Sequence, residues 1–353
     1  MNNTIKEQVR LLWDKCFAEE DKRFVDFYFE KRYNEEDNIF IERDNKVVSA
    51  LQLISYPFSY YGKTIGCAYI SGACTDPDYR SQGIMNELIL KSLKKAKNNG
   101  ACFASLIPAS ESLFNYYSGT NFVTTFDYSK IHINKSKESE QYVSNCNITT
   151  FDGSYEIYDY FNSKMRSRNC CIQHNEYDFG VIAEDLEMFD NYMLVAKYGE
   201  DICGIAFCYL RNNEIYIKDV FAESGAILSD LITSASKLLN NESINIIVPP
   251  VAGQKTHHLG MSRIIDAETM LRIYATTHPK LKMEISLVDP ILTENNGTYY
   301  INNGVLEKKD SISANVVDIE QLTQALFGYH TEVLPDKLKS FNHQAAFMSL
   351  MLD

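Results

Sequence analysis

The residues with the clearest chemical potential lie at 71–97, where a short apolar segment is followed by a turn and then by a helix-like pattern. Arg-Ser-Gln-Gly occupies positions 80–83, and Ile84 and Leu88 begin the helical spacing after it. A helix N-terminus has backbone N–H groups without intrahelical partners, and its dipole favours negative charge. Arg80 adds a fixed positive charge. The pattern therefore predicts a site for a phosphate-bearing anion.

Residues 80–83 resemble the Arg/Gln-x-x-Gly-x-Gly/Ala pyrophosphate loop of the GNAT superfamily of acetyl-CoA-dependent N-acetyltransferases. The segment Leu-Phe-Asn-Tyr-Tyr-x-x-x-Asn-Phe at 113–122 resembles the Tyr-rich helix of that family. The resemblance implies acetyl-CoA as cosubstrate. One position departs from the pattern, because the last Gly/Ala of the loop is Met85 here. Its backbone N–H remains available, and we expect its side chain to point away from the phosphates.

The resemblance also implies how CoA is held. In a GNAT sheet the strand that ends at Thr75 here splays away from the next one, and the pantetheine arm pairs in the gap like an extra strand. The loop then holds the pyrophosphate with Arg80 beside it. The implied acetyl-CoA contacts are Ala73, Cys74, Thr75, Arg80, Ser81, Gln82, Gly83, Ile84 and Met85.

The 353 residues carry a net charge of −13, from 47 acidic and 34 basic side chains. Nucleic-acid binding requires clustered positive charge, so that partner is not expected, whereas a cationic amine fits. The nine cysteines contain no CxxC pair, which favours buried free thiols in a reducing cytosol over a metal site. No secretory pattern or roughly 20-residue apolar stretch is present, so we expect a cytoplasmic protein without a membrane partner.

The first part of the chain predicts one α/β unit. Helices are expected at 4–18 and 21–33, strands at 38–42, 47–56, 67–75 and 102–107, and the loop helix between the last two strands. The segment 134–150 is rich in Lys, Ser, Glu and Asn, which is typical of a linker.

Beyond the linker the pattern repeats. Strands are expected at 191–197, 202–210, 214–220 and 244–248, with a helix at 226–239. The loop position holds Ala-Glu-Ser-Gly at 222–225, and the carboxylate of Glu223 would repel pyrophosphate. We therefore expect a second, degenerate GNAT-like half that does not bind CoA.

The last part of the chain predicts strands at 282–289, 297–302 and about 314–318, and helices at 318–328 and 331–340. This order resembles the sterol-carrier-protein-type domain that closes the Eis-type (enhanced intracellular survival) acetyltransferases. The expected fold is α/β (α+β), with two tandem GNAT-like mixed-sheet halves followed by a small sterol-carrier-protein-like α+β domain. The predicted limits are 1–135, 150–277 and 281–353. The resemblance also implies a homo-oligomer, but no sterol ligand.

Acetyl transfer to an amine uses a base for the amine, donors for the developing oxyanion and an acid for the departing thiolate. Tyr117 aligns with the tyrosine that Eis-type enzymes place beside the CoA sulfur, which implies that it is the acid. Tyr116 would face another side of that helix. A packing role for either tyrosine stays open.

Eis-type enzymes use the C-terminal carboxylate as the base, which implies Asp353 here. The run at 346–352 before it is apolar, which indicates a docked tail, although plain core packing would give the same pattern. His132, His174 and the pair at 257–258 are alternative bases.

Together these residues predict an N-acetyltransferase that moves acetyl from acetyl-CoA to a primary amine of a small cationic or peptide acceptor, by direct attack in a ternary complex. The alternative is a catalytically decayed CoA-binding scaffold or sensor, suggested by Met85 and by the departure of Asp353 from the aromatic ending of the family.

Overall fold

The computed structural model describes residues 4–135, 144–314 and 316–352 and divides the chain into two units. The first unit contains the chain up to Phe126 and residues Leu259–Ala346, and the second contains Asp127–His258 and Phe347–Leu352. The helices of the described ranges are α1 Ile5–Cys16, α2 Lys22–Lys31, α3 Ile84–Asn98, α4 Glu111–Ser118, α5 Tyr155–Ser167, α6 Glu176–Met188, α7 Gly225–Leu238, α8 Ala267–Thr277 and α9 Ile319–Leu326.

The strands follow the same chain order. They are β1 Asn38–Arg43, β2 Lys46–Tyr60, β3 Lys63–Thr75, β4 Phe103–Leu106, β5 Val123–Asn134, β6 Asn147–Thr150, β7 Cys171–Ile172, β8 Tyr192–Tyr198, β9 Asp201–Arg211, β10 Glu214–Ala222, β11 Ser243–Val248, β12 Thr256–Ile264, β13 Met283–Val288, β14 Gly297–Asn302, β15 Val305–Lys309 and β16 Val316–Asp318.

The main sheet of the first unit has the order β1-β2-β3-β4-β12. Its pairs are antiparallel except β3 with β4, which are parallel. Successive residues of a strand point to opposite faces, and Ala50 and Leu51 illustrate this. Ala50 packs in the cluster of α1 and α2, and Leu51 packs in the cluster of α3. The sheet is thus buried on both faces.

The helices that cover this sheet are capped by their own sequence. Thr4 accepts from the backbone of Glu7 and Glu7 accepts from Thr4, a capping box that starts α1. Asp21 caps α2 by accepting the backbone N–H of Arg23. Trp13 then packs between Phe17, Tyr28 and Phe29, with ring centroids 4.6 to 5.2 Å away.

A smaller sheet of order β15-β14-β13-β16 completes the first unit, together with α8 and α9. A buried ion pair links β12 to the turn after β13, because Arg263 donates to Asp289 at 2.5 Å and both side chains are fully buried. Asp289 also accepts the backbone N–H groups of Ile291 and Leu292 at 3.0 Å. The carboxylate therefore organises this turn as well as neutralising the arginine.

The sheet of the second unit has the order β5-β11-β10-β9-β8-β6. Only β10 and β11 are parallel among its pairs, and α7 covers one face while α5 and α6 cover the other. The end of the chain packs in this unit. Phe347 exchanges backbone hydrogen bonds with Cys170 and Ile172, at 2.9 and 3.3 Å.

Two expectations need correction. The predicted helix at 331–340 is wrong, because this segment forms two short 3-10 turns, Thr331–Val333 and Asp336–Leu338, separated by Pro335. Proline fixes φ and has no N–H, so it interrupts a continuous helix. The predicted linker at 134–150 contains strand β6 at its end, while residues 136–143 of it lie outside the described residues.

Several elements had no counterpart among the expectations, namely α5, α6, α8, β5, β7, β12 and β15. None of the helices in the described ranges is long and apolar enough to cross a bilayer.

Candidate active site

The turn between β3 and α3 has the backbone geometry of an anion site. Ser81 and Gly83 both adopt left-handed conformations, with φ of 61° and 77°, and α3 begins directly after Gly83. Gly83 makes no side-chain cap to the helix. The first N–H groups of a helix have no partner within it, so the amides near Ile84 and Met85 remain available to a ligand.

Glycine is required at position 83 for conformational reasons. A φ of 77° is costly for a residue with a Cβ, whereas glycine accepts it. A Cβ added there would meet no atom within 4 Å, so the space beside the turn is open. The side chain of Met85 packs against the core cluster of α3. Its bulk is thus accommodated within the protein.

The strand that leads into this turn continues beyond its parallel neighbour. Pairing of β3 with β4 runs from Cys67 with Phe103 to Tyr69 with Ser105, and β4 ends at Leu106, while β3 continues to Thr75. Residues 70–75 therefore have no strand pairing with β4, and this unpaired side of the strand is called the gap beside β3. An extended chain with hydrogen-bonding groups can add to such an edge as a further strand.

A bulge deforms β3 within this gap. The register with β2 shifts between Ala50 opposite Cys74 and its next pair, Gln52 opposite Ser71, so Gly72 and Ala73 together face one residue. Gly72 has φ of 59°, and a Cβ there would lie 2.0 Å from the Trp13 ring. Bulges re-aim strand groups next to functional sites. Here the bulge lies under α1, which supplies Trp13.

The gap is fixed by hydrogen bonds from neighbouring side chains. The Ser49 hydroxyl donates to the Cys74 carbonyl and contacts the Thr75 hydroxyl, both at 2.8 Å. Arg80 Nε donates to the Thr75 carbonyl at 3.1 Å. These contacts hold the end of β3 against the loop before any ligand arrives.

Asp76 anchors the start of the loop. Its buried carboxylate accepts from Lys46 at 2.8 Å and from Lys15 at 3.0 Å. Burial raises the pKa of Asp76, but the hydrogen bonds from Lys46 and Lys15 outweigh it and lower the pKa to about 2. The negative charge at this point is therefore balanced by two lysines.

Tyr117 lies on α4 and is 7% exposed, whereas Tyr116 is 45% exposed. Burial, with smaller contributions from Tyr116 and Cys74, raises the pKa of Tyr117 to about 12. The phenol is thus protonated at neutral pH. No residue of the described ranges makes a hydrogen bond with its hydroxyl. Such a group can donate a proton to an incoming atom.

The other expected catalytic residues lie outside the described residues or in the second unit. Asp353 lies outside the described residues. The four histidines all belong to the second unit, where three of them have clear polar partners. His132 meets Asn245 at 3.1 Å, His174 meets the Ser349 carbonyl at 2.9 Å, and His258 meets Asp127 at 2.9 Å, while His257 stacks on Tyr128.

Three residues beside the site were missed by the sequence analysis: Lys15, Cys16 and Lys46. Lys15 and Cys16 end α1, and Lys46 begins β2, yet all three meet the end of β3 or Asp76. The sequence carried only a weak signal for them, since a basic residue in the last turn of α1 is explained by the helix dipole alone.

The corresponding turn of the second unit differs in charge and capping. The Ser224 hydroxyl accepts from the Ile227 N–H at 3.3 Å, so the N-terminus of α7 has a side-chain cap. Glu223 is bound by Lys164 and by the Tyr160 hydroxyl. Both features compete with an anionic ligand at this turn.

The features of the first unit fit an extended ligand that carries phosphate groups. The uncapped start of α3 offers donors to the phosphates, and the gap beside β3 offers an edge to an amide-bearing arm. Among the described residues, no three His, Cys, Asp or Glu side chains are grouped as a metal ion would require.

Comparison with known families places this site in a recognised domain. The profile of the acetyltransferase (GNAT) domain matches residues 1–122, and the profile of the sterol carrier protein domain matches residues 267–340. No protein of curated function matches the sequence.

Solved structures share the fold over nearly the full chain at low identity. A GCN5-related N-acetyltransferase from Anabaena variabilis is 13% identical with a TM-score of 0.78, covering 99% of this chain and 98% of its own. One from Kribbella flavida is 16% identical with a TM-score of 0.76, covering 100% and 97%. An Eis protein from Mycobacterium abscessus is 11% identical with a TM-score of 0.74, covering 98% and 96%.

These similarities confirm the expected fold class, with tandem GNAT-type halves followed by a sterol carrier protein domain. The precise limits of the domains stay predictions. At sequence identities of 11–16%, the solved structures are evidence only for a shared fold.

Proposed function

We propose, from the premise that the chain is a GNAT acetyltransferase with the domain order of Eis-like proteins, that it transfers acetyl from acetyl-CoA to a primary amine by direct attack in a ternary complex. The observation that carries the proposal is the uncapped start of α3 behind two left-handed residues, next to the gap beside β3. The acceptor is a small cationic or peptide amine. The net charge of −13 is compatible with a cationic acceptor.

The acetyl-CoA contacts are proposed from the family resemblance, and the geometry of the turn before α3 supports them. The amides of Gln82 to Met85 and the loop residue Ser81 would hold the pyrophosphate, with Arg80 beside it. The backbone of Ala73, Cys74 and Thr75 would pair with the pantetheine arm. The cosubstrate supplies a thioester whose carbonyl is open to attack by an amine.

Tyr117 is proposed as the acid for the departing thiolate. Its raised pKa of about 12 keeps the phenol protonated at neutral pH, so the proton is present when it is needed. A thiolate is a fair leaving group, so the tyrosine assists the step and is not essential to it.

The base is proposed from the Eis-type resemblance to be the C-terminal carboxylate of Asp353. The free amine must be neutral to attack, and a carboxylate in apolar surroundings can take its proton directly or through water. The histidines considered above are engaged in polar or stacking contacts of the second unit.

Titration of acetyl-CoA into the purified chain tests the proposal. We expect micromolar-range binding by the wild type and its loss in Gly83→Asp, which adds a carboxylate to the phosphate turn. Gly225→Asp is the matched control, because it places the same charge at the start of α7. Absence of binding by the wild type, or equal binding by Gly83→Asp, would refute the site.

A panel of amines separates the enzyme from a decayed scaffold. Aminoglycosides, polyamines and lysine peptides are incubated with acetyl-CoA, and free thiol is measured. Turnover of any amine above the uncatalysed rate removes the scaffold alternative. Binding of acetyl-CoA without turnover of the whole panel would favour it.

A homo-oligomer and a cytoplasmic location are further predictions from the resemblance and the composition. Light scattering tests the first, since a solution mass near 40.4 kDa, that of one chain, would contradict it.

A further inference from the structure

Two cysteines meet beside the phosphate turn. Cys16 is the last residue of α1 and is half-buried, and Cys74 lies in β3 and is 4% exposed. Both pack in the hydrophobic cluster that holds Leu12 and Trp13. The Cys16 thiol donates at 3.3 Å to the carbonyl of Thr75, the residue that follows Cys74 in β3. The two sulfurs, 58 positions apart in the sequence, thus share one environment.

The surroundings make the two thiols chemically unequal. Interaction with Cys74 and with Arg80 outweighs burial and Asp76, and lowers the pKa of Cys16 to about 7. The same interaction with Cys16, together with burial, holds the pKa of Cys74 well above its usual range. Asp76 is itself paired with Lys15 and Lys46, which limits its effect on Cys16. Near neutral pH the pair therefore consists of a partly ionised thiol beside a protonated one.

We propose that Cys16 and Cys74 form a redox-sensitive thiol pair that closes a disulfide beside the phosphate turn. The oxidant is a hydroperoxide. The Cys16 thiolate attacks the terminal peroxide oxygen, the O–O bond breaks, and an alkoxide (hydroxide in the case of hydrogen peroxide) leaves as Cys16 becomes a sulfenic acid. The Cys74 sulfur then attacks the Cys16 sulfur, an S–S bond forms, and water leaves with the Cys74 proton. With hydrogen peroxide, two thiols and one peroxide give one disulfide and two waters.

The disulfide would change the phosphate site through Thr75. In the reduced protein the Thr75 carbonyl accepts from both Cys16 and Arg80. Oxidation removes the Cys16 donor and ties α1 to β3 at the residues proposed to hold pantetheine. The expected consequence is about tenfold weaker acetyl-CoA binding, and this part rests on the proposed function. Reduction by a dithiol restores the site.

A second cysteine pair provides an internal control. The sulfurs of Cys146 and Cys203 lie 3.1 Å apart in the second unit. Burial and the Cys146 hydrogen bond raise the pKa of Cys203 to about 12. If the distance between the sulfurs alone set the rate of disulfide formation, Cys146 and Cys203 would be oxidised as fast as Cys16 and Cys74. If the fraction of thiolate sets the rate, Cys16 and Cys74 should be oxidised faster.

The full chain is treated with hydrogen peroxide at pH 7, blocked with N-ethylmaleimide at timed points, and digested for mass spectrometry. We expect the peptide link between Cys16 and Cys74 to form about tenfold faster than the link between Cys146 and Cys203. At pH 5.5 the first link should slow by about tenfold, because less Cys16 is ionised. Equal rates for the two links, or no link between Cys16 and Cys74, would overturn the proposal.

The variant Cys16→Ser tests whether oxidation of the thiol pair is what weakens acetyl-CoA binding. The variant should bind acetyl-CoA like the wild type and should keep that affinity after peroxide, whereas the wild type loses about tenfold. Loss of affinity in the oxidised variant would place the sensitivity elsewhere and refute the effect on binding. If neither protein binds acetyl-CoA, the proposed function fails, while the peptide link still decides whether the thiol pair exists.

Discussion

The hydroxyl of Tyr117 is the single atom on which the proposed acid chemistry depends. We expect Tyr117→Phe to lower kcat by about tenfold while the dissociation constant of acetyl-CoA changes less than twofold, because a proton donor is lost but the ring stays in its core. The ring contacts Phe122 and Tyr116 and is 7% exposed, so phenylalanine preserves the packing. Steady-state rates and direct acetyl-CoA titration measure the two effects.

Tyr116→Phe is the matched control, since it removes the same atom from the exposed neighbour. An equal loss of kcat in both variants, or none in Tyr117→Phe, would rule out Tyr117 as the acid.

Asp76 is expected to contribute to stability through its charge. Its folded pKa of about 2 lies below the ordinary value of 3.8, so its contribution is complete above about pH 4 and disappears as the pH falls towards 2. Its partners Lys15 and Lys46 are each 48% exposed, which reduces the contribution to about 1 kcal/mol. Asp76→Asn should lose this amount at pH 7, measured by urea unfolding.

The same measurement at pH 3 and pH 2 should show the wild type and Asp76→Asn converging. Asp78→Asn is the control, because Asp78 has no ion pair among the described residues. A constant difference between Asp76→Asn and the wild type from pH 7 to pH 2 would contradict the charge explanation.

Residue chemistry was predictable where it is local in sequence. Gly83 could be assigned to a turn because it precedes a helical pattern, and the structure adds that its φ is 77°. The approach of Cys16 and Lys15 to the end of β3 could not be predicted. These contacts span about 60 positions and depend on how α1 crosses the sheet, which no local pattern encodes.

At the scale of elements, the buried pair of Arg263 and Asp289 connects β12 with the turn after β13. We expect Asp289→Ala to cost about 3–5 kcal/mol, because it leaves a buried guanidinium and several backbone donors unsatisfied. Arg263→Met should cost less, since the carboxylate keeps the N–H groups of Ile291 and Leu292 and the amide of Asn295. Denaturant unfolding gives both values.

The exposed pair of Arg272 and Glu268 in α8 is the control for this comparison, and Glu268→Ala should cost less than about 0.5 kcal/mol. A smaller loss for Asp289→Ala than for Arg263→Met would show that the backbone donors at this turn find other partners.

Elements with strong periodicity were predictable, and short polar ones were not. The helix after Gly83 and the strand at 102–107 correspond to α3 and β4. The segment at 331–340 has helical spacing, but Pro335 divides it into two 3-10 turns. Strand β12 was not predicted, because half of its residues are polar and its burial depends on neighbouring strands. Its sequence is Thr-His-His-Leu-Gly-Met-Ser-Arg-Ile.

For the whole molecule, the two turns that follow β3 and β10 predict one acetyl-CoA site per chain. The first turn has no side-chain cap on its helix, whereas the second has Ser224 as a cap and Glu223 as a negative charge. Isothermal titration should therefore give a stoichiometry near one. A value near two would mean that the second half binds CoA despite Glu223, and Glu223→Ala would then be expected to tighten that second site.

The end of the chain provides the last prediction. Residues 347–352 are buried in the second unit, and Ser349 donates to Asp219 at 2.7 Å while its carbonyl meets His174 at 2.9 Å. A free α-carboxyl has an ordinary pKa of about 3.5, and apolar surroundings or a neighbouring carboxylate raise it towards the range of a useful base. If the Asp353 carboxylate is the base, adding five polar residues after it should lower kcat by about tenfold.

Acetyl-CoA affinity should stay within twofold in the extended chain, because the proposed cosubstrate contacts lie at residues 73–85. The same five residues added before Met1 serve as the control, and thermal unfolding of both chains shows whether the fold is intact. Wild-type turnover in the C-terminally extended chain would mean that the terminus is structural. The proton acceptor would then have to be a side chain or an ordered water of the first unit, where the pH dependence of kcat/KM would report its pKa.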